Sequence, residues 1–314
     1  MPNVTTTTQT EYAVGVWYNR TLLDPAVPKL IANQFGQMKS IPKGNSKMIR
    51  WSRYEALSEA TTALTEGVEP NGQQLSVTRM DATAAQYGDY VVLTDVVELT
   101  VEDPVSNEAN KRLGEQMGRT LDTLTFDTLA ASLSEVDCSA GADGQTVTEL
   151  TQTDIDGVVQ TLMDNDASMF ADIMDASTGF GTAPLDESYY ALSNTAVYKD
   201  LKDVESWVPI NQYPKPSMRK KGERGYTDNV RWCLTSKAPT SGSGASKEYY
   251  SFIMGKDAYG VVDIASGNAE SIYIPPGGTG DRLKQRSSLG WKAWHACQIL
   301  NDNYMVKLSS TITQ

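Results

Sequence analysis

The chain has 314 residues, 40% of them hydrophobic and 21% charged, a composition ordinary for a folded protein able to bury a sizeable core. Its formal net charge of -12 disfavours nonspecific adhesion to DNA or to an anionic membrane, which sets aside a repressor or histone-like role. Cys138, Cys233 and Cys297 are odd in number, far apart and without a C-x-x-C pair, so they read as reduced packing residues, with neither a disulfide framework nor a zinc knuckle.

Residues 1–36 are rich in Thr and Asn, are interrupted by Pro25 and Pro28, and keep no sustained period; they read as an N-terminal arm. The opening MPNVTTTTQT has no basic patch followed by an apolar stretch, and no run approaches the ~20 apolar residues of a membrane helix, so no membrane is expected. Met48 to Leu57 and Leu75 to Thr83 suit extended pairing, with turn chemistry from Gly67, Pro70, Asn71 and Gly72 between them. This long hairpin, within residues 37–98, must pack on its own body or dock on another subunit, because an isolated two-stranded ribbon is marginal in water. Tyr90 to Val97 reads as a strand, and Asp103-Pro104 as the start of a helix. Leu113, Met117, Leu121, Leu124 and Thr128 then place an apolar stripe along a rod from Val105 to Leu133, with Lys111, Arg112, Glu115 and Arg119 on the wet side; the rod lies within residues 99–145.

A break over Cys138 to Gln145 precedes a second helix, Asp154 to Met163, entered through Thr153-Asp154. Strands follow at Ser188 to Ser193, Val230 to Thr235 and Tyr249 to Met254, with a short helix over Thr195 to Asp203, giving α+β or α/β character to residues 146–280. Between these elements PKPSMRKKGERG and APTSGSGASK read as exposed loops. Gly290 to Leu300 and Tyr304 to Leu308 close the chain within residues 281–314, separated by the turn Asn301-Asp302-Asn303.

Charge is segregated along the chain. Residues 1–53 carry +5 and residues 54–110 carry -10, followed by -13 over 111–210 and +6 over 211–314. Such blocks suit subunits whose acidic face meets a neighbour's basic face. Candidate contacts are Thr65, Glu66, Gly67 and Glu69 near the hairpin tip, and Arg219, Lys220, Lys221 and Arg224 in the basic loop.

Catalytic chemistry has little to work with. His295 is the only histidine, which forbids a histidine pair for zinc, and no G-x-S-x-G elbow exists. Asp164, Asp166, Ser168, Asp172 and Asp175 imitate several calcium-loop positions, yet Met169 stands where the turn glycine belongs and Asp175 where the final Glu belongs. PPGGTGD lacks the Lys-Ser/Thr of a phosphate loop and reads as a turn. No cofactor and no metal are expected, and a hydrolase is the reading from another class that the inventory supports least.

Several segments in order resemble a known family. ATTALTEGVEPNGQQLSVTRMDATAAQYGDYVVLTD, Ala60 to Asp95, resembles the TxLTEG...YG...T region of tailed-phage major capsid proteins grouped with the coat protein of phage N-four. Glu108 to Leu133 resembles that family's spine helix, and ALSNTAVYKDL its domain-crossing strand and helix. Gly222, Glu223, Gly225 and Arg231 match its GE-x-G...R signature, and Gln285, Arg286, Gly290, Trp291, Lys292, Ile299, Leu300 and Asn301 its closing pattern, with Ser287 and Ser288 departing from it. The likeness spans about Ala60 to Leu308. It implies the Hong Kong 97 coat fold, with N-terminal arm, extended hairpin loop, spine helix, peripheral domain and axial domain. It further implies a non-catalytic major capsid protein that self-assembles in the host cytoplasm into an icosahedral head around double-stranded DNA, resides in the virion, and has portal, scaffolding and decoration proteins as partners and only weak contact with DNA. An encapsulin-like cage is the alternative of the same fold.

Overall fold

In the computed structural model the described residues are 30–41, 47–64, 66–67, 69, 71–100, 105–133, 135–139, 147–171, 173–174, 184–214, 219–244, 247–262, 269–277, 281 and 283–313. The expected arm up to residue 29, Pro70 of the turn, the helix start at Asp103-Pro104 and most of the 138–145 break lie outside them.

After a short strand β1 (Gln37–Lys39), β2 (Met48–Tyr54) pairs antiparallel with β3 (Val77–Thr83) through seven residue pairs, from Met48 opposite Thr83 to Tyr54 opposite Val77. Period-two alternation sends Ile49, Trp51 and Ala82 inward, while Arg50 on the outer face grips the directly opposite Asp81 with two bonds of 2.6 and 2.7 Å. The Arg50 guanidinium holds the Asp81 carboxyl below the usual carboxylate range.

β4 (Ala85–Thr94) follows at once and ends earlier than the sequence suggests. Its partner β14 (Arg286–His295) begins at Arg286, opposite Thr94, and past that pair one backbone bond follows, from Asp95 N–H to Gln285 O at 3.0 Å. Asp95 instead opens the helix α1 (Asp95–Thr100), its carboxylate accepting from the Val96 N–H at 2.8 Å. The strand expected through Val97 is corrected accordingly.

The rod is α2 (Val105–Ser132), 28 residues and about 42 Å long at ~1.5 Å per residue. Its N-terminal half packs Leu113, Met117 and Leu121 against Leu289, Trp291 and Ala293 of β14 and Leu93 of β4. Farther along, the buried stripe passes through Thr125, Phe126 and Leu129, while Leu124 and Thr128 are only half-buried. Arg112 and Arg119 pair with Glu108 and Glu115 on the wet side.

An eight-stranded sheet builds the rest of the core. Its order is β5 (Glu135–Asp137), β16 (Met305–Ser310), β11 (Glu248–Met254), β6 (Tyr189–Asn194), β9 (Val230–Thr235), β8 (Glu223–Thr227) and β7 (Val208–Pro209), with β10 (Thr240–Ser241) paired to β11. β6 runs parallel to β9, and the last strand, β16, parallel to β5. Asp228 and Asn229, at φ of 26° and 62°, make the two-residue turn between β8 and β9, a geometry that Asp and Asn tolerate. Alternate side chains face two different partners. Ala191, Trp232, Leu234, Ile253 and Leu308 meet Ile155, Val158 and Leu162 of α3 (Gln152–Asp164); Leu192, Cys233, Phe252 and Met254 meet Phe126, Leu129 and Leu133 of the rod. The α3 cap is Thr151, whose backbone N–H and hydroxyl both bond Asp154 Oδ2, so the entry lies two residues before the expected Thr153.

The two loops expected to be exposed are only partly so: Glu223 to Gly225 belong to β8 with Glu223 buried, and Thr240-Ser241 forms β10 beside a buried Ala238. The short helix over 195–203 is a 3₁₀ turn, Thr195–Val197, running into α4 (Tyr198–Asp203). The strands β12 (Tyr259–Val262) and β15 (Cys297–Ile299) complete a three-stranded sheet with β1, and β13 (Ala269–Ile274) flanks β14 opposite β4.

Phe126 is fully buried against Phe252, with ring centroids 6.0 Å apart. Phe126→Ala is expected to cost about 3–5 kcal/mol, measured by urea unfolding of the unassembled chain.

Candidate assembly surface

Beyond the β2–β3 ladder the described residues form no helix or strand, yet the two sides stay together: Glu55 N–H donates to Ser76 O at 3.1 Å and Gln73 Nε2 to Ser58 O at 2.7 Å. Every described residue from Ala56 to Arg79 is exposed, including Leu57, Leu64 at 77% and Leu75. Of the expected tip contacts, Glu66, Gly67 and Glu69 are exposed there, with Gly67 at φ 75°, and Thr65 lies outside the described residues.

The ribbon's base is the opposite case. Ile49, Trp51 and Ala82 are buried with Val262, Ala296 and Leu300, and Arg53 Nη1 donates to Leu300 O at 3.2 Å. Trp51 lies flat on Gly260, where an added Cβ would stand 2.5 Å from the indole, so this position requires glycine. A buried foot thus aims an exposed ribbon.

On the β13–β14–β4 sheet one face covers the rod, and the other exposes apolar side chains beside a Lys292–Glu270 pair among the described residues. Tyr90 is 69% exposed, Val92 and Ile274 are exposed beside it, and Gly290 stands directly opposite both Tyr90 and Ile272. The closing signature is explained here. Gly290 leaves room for Tyr90, Trp291 points inward and donates to Gln116 Oε1 at 3.2 Å, and Lys292 pairs with Glu270 at 3.2 Å.

The basic loop is held from beneath. Arg219, Lys220, Lys221 and Arg224 are exposed, and Gly222 turns the chain at φ 80°. Glu223, buried, accepts from Lys220 N–H at 2.8 Å through Oε2; burial keeps its carboxyl above the usual carboxylate range, opposed by that bond and by Arg231. Arg231 itself is 1% exposed, with its guanidinium over the Tyr190 ring at 6.0 Å. The Glu and Arg of the signature are therefore the loop's buried footing, and the hairpin tip and basic loop belong to separate elements.

Two contacts escaped the sequence. Gln34 bonds both backbone groups of Lys221, donating to its carbonyl at 2.9 Å and accepting from its N–H at 3.3 Å. Asp122 is fully buried inside the apolar stripe of the rod. The only available signal was the four-residue spacing of Gly114, Gly118, Asp122 and Phe126, which puts the acid on the buried side.

The histidine and the closing cysteine are packed, whereas Asp164 and Asp166 are exposed. His295 is buried on β14, where desolvation pushes its pKa down to about 4, and burial pushes Cys297 up to about 12. Asp164 and Asp166 sit at the end of α3, while Asp172 and Asp175 are outside the described residues. Among the described residues no helix is long and apolar enough to cross a membrane.

The family model described as phage capsid protein matches residues 78–308, from within β3 to within β16. The chain belongs to the phage capsid protein family. No curated protein matches it by sequence. The phage capsid protein shares its fold with the capsid of Ralstonia phage GP4, at TM-score 0.61 and 13% identity over 89% of this chain and 88% of that one. It is likewise similar to the cyanophage Pam1 capsid, at TM-score 0.61 and 14% identity over 86% of each chain. The capsid of Helicobacter pylori bacteriophage KHP30 aligns at TM-score 0.60 and 12% identity over 90% of each. The architecture is Hong Kong 97-like, and the protein is a major capsid protein that forms the head shell and resides in the virion.

Gly260→Val should drive Trp51 out of its seat and cost about 1–3 kcal/mol. The expected outcome is faster protease cleavage between residues 47 and 84 with the circular dichroism of the remaining fold retained; unchanged cleavage would show that Trp51 does not set the ribbon's foot.

Proposed function

We propose that copies of this capsid protein join by laying the exposed half of the hairpin across the apolar outer face of an adjacent copy's β13–β14–β4 sheet. The observation that carries the reading is that every described residue from Ala56 to Arg79 is exposed, with Leu57, Leu64 and Leu75 in water on a ribbon whose foot is buried. Two strands alone do not hold their shape in water, and apolar side chains of this size gain by meeting Tyr90, Val92 and Ile274. Each contact is modest, so misplaced subunits can leave before closure, and the completed lattice is held by the sum.

In this reading residues 37–98 and the spine within 99–145 form the peripheral part, and residues 146–280 form the axial part around a capsomer centre. Residues 281–314 tie the two, since β14 lies in one sheet and β16 in the other. Residues 1–36 act as an arm on a further neighbour. Arg219, Lys220, Lys221 and Arg224 meet the acidic blocks of an adjacent copy, with Glu66 and Glu69 on the tip contributing to the acidic side. The shell encloses double-stranded DNA, and the net charge of -12 keeps packaged DNA from adhering to the wall. Portal, scaffolding and decoration proteins complete the head, and the subunit works without a catalytic step or cofactor.

Deletion of residues 60–72 is expected to leave a folded subunit that forms no closed shell; normal particles by negative-stain microscopy would refute hairpin docking. Replacing Arg219, Lys220 and Lys221 by Glu is expected to slow assembly and flatten its dependence on salt, and an unchanged salt profile by light scattering would remove charge complementarity at that loop.

A further inference from the structure

Residues 31–35 are held by the rod, β12, β6 and the basic loop. Asp122 of the rod accepts from the N–H groups of Ile31 and Ala32 at 3.0 and 2.7 Å. Thr125 donates to Asn33 Oδ1 at 2.8 Å, Tyr259 of β12 donates to Ala32 O, and Phe35 stacks with Tyr190 at 4.6 Å. Gln34 then grips Lys221, and Ile31 lies against Gly222, so the same short segment carries the basic loop.

The asymmetry of Asp122 is informative. Both N–H donors go to Oδ1, and Oδ2 is buried with no partner. An ionised carboxylate spreads its charge over two oxygens and is costly to bury with one of them bare, whereas a carboxylic acid keeps one acceptor oxygen and carries a proton on the other. Among the described residues no cation offsets its burial; only the two backbone bonds do. The titratable groups on the elements packed there are Tyr259 of β12, His295 of β14, which lies 3.4 Å from Thr125 Oγ1 through Nε2, and Cys297 of β15. All three are neutral in mild acid, since burial raises the tyrosine and the thiol and lowers the imidazole to about 4.

We propose that Asp122 is a proton-loaded latch: docking of residues 31–36 on the rod takes up a proton at Oδ2, so that mild acid tightens the root of the arm and, through Gln34, the basic loop. Burial pushes the Asp122 carboxyl up to about 6, opposed by its two backbone bonds. A docked group that binds its proton more tightly than the open, solvated group shifts the equilibrium toward docking as pH falls through that value, and the gain is complete below the open-state pKa of about 4.

Hydrogen exchange of the full chain, corrected for intrinsic rates and read on peptides covering residues 30–36 and 219–224, tests this. Between about pH 7.5 and about pH 5, protection of both segments is expected to rise about tenfold. Asp122→Asn, which keeps the Oδ1 acceptor and cannot ionise, is expected to give the same protection at both pH values. Protection in the wild-type chain that is unchanged or weaker in acid overturns the latch, as does an acid-strengthened response that survives in Asp122→Asn. Where that variant fails to fold, the wild-type exchange decides by itself. The measurement needs no shell, so it can fail or succeed independently of the proposed intersubunit docking.

Discussion

Everything in this subunit hangs on one helix being buried by two different sheets. The first half of α2 presents Leu113, Met117 and Leu121 to β4 and β14, and the second half presents Phe126, Leu129 and Leu133 to the eight-stranded sheet. Neither sheet covers the whole rod, and a helix of this length needs an apolar face along most of it to stay ordered. The helix therefore ties together two sheets that share no strand. A shell subunit must present its contact surfaces at set positions, and a rod of about 42 Å is a simple way to hold them apart.

The hairpin obeys the same economy from the other direction. Its foot is specified by side-chain packing: Trp51 on Gly260, Arg53 on Leu300 O, Ile49 and Ala82 in the apolar cluster. Past Tyr54 side-chain packing gives way to a few bonds such as Glu55 N–H to Ser76 O, and Leu57, Leu64 and Leu75 are exposed, the residues that the proposed docking would cover. That contrast gives a two-stranded ribbon its function. A ribbon buried along its whole length would be core, and one free along its whole length would have no direction.

Local chemistry was readable wherever it acted alone. The turn residues around Gly67 and Gly72 placed the hairpin, the stripe from Leu113 to Leu121 placed the rod, and the apolar runs at 188–193 and 230–235 placed two central strands within a residue. What depended on distant partners was not readable. β4 stops at Thr94 because β14 begins at Arg286, nearly two hundred residues later, and nothing near Val97 signals it. The stripe's second half tracks the large sheet, so Thr125 and Phe126 are buried where Leu124 and Thr128 were expected. Tyr90 sits in an apolar run that looks buried, and only its position opposite Gly290 on the sheet's free face shows why it is in water. For the candidate site, the exposure of the basic loop followed from its composition, while its buried footing on Glu223 and Arg231 did not.

The charged groups that are buried share a location that clarifies their role. Asp122 lies where residues 31–36 meet the rod, Asp200 where α4 meets Thr313, accepting from its N–H at 3.3 Å, Glu223 and Arg231 where the basic loop meets the sheet, and Lys307 where the end of the rod meets the last strand, donating to Ala130 O at 3.2 Å and pairing with Glu135 at 3.3 Å. Burying charge is expensive, and an apolar replacement would often be as stable or more so, so stability alone is a poor account of this pattern. Apolar packing tolerates sliding, whereas a directional bond from a buried polar group is made at one position only. Each of these groups sits at a joint between parts of the chain far apart in sequence, where a small slip would redirect the arm, the loop or the rod. The bonds these ionisable groups make tie the joints, and the apolar clusters supply the stability that lets them remain buried.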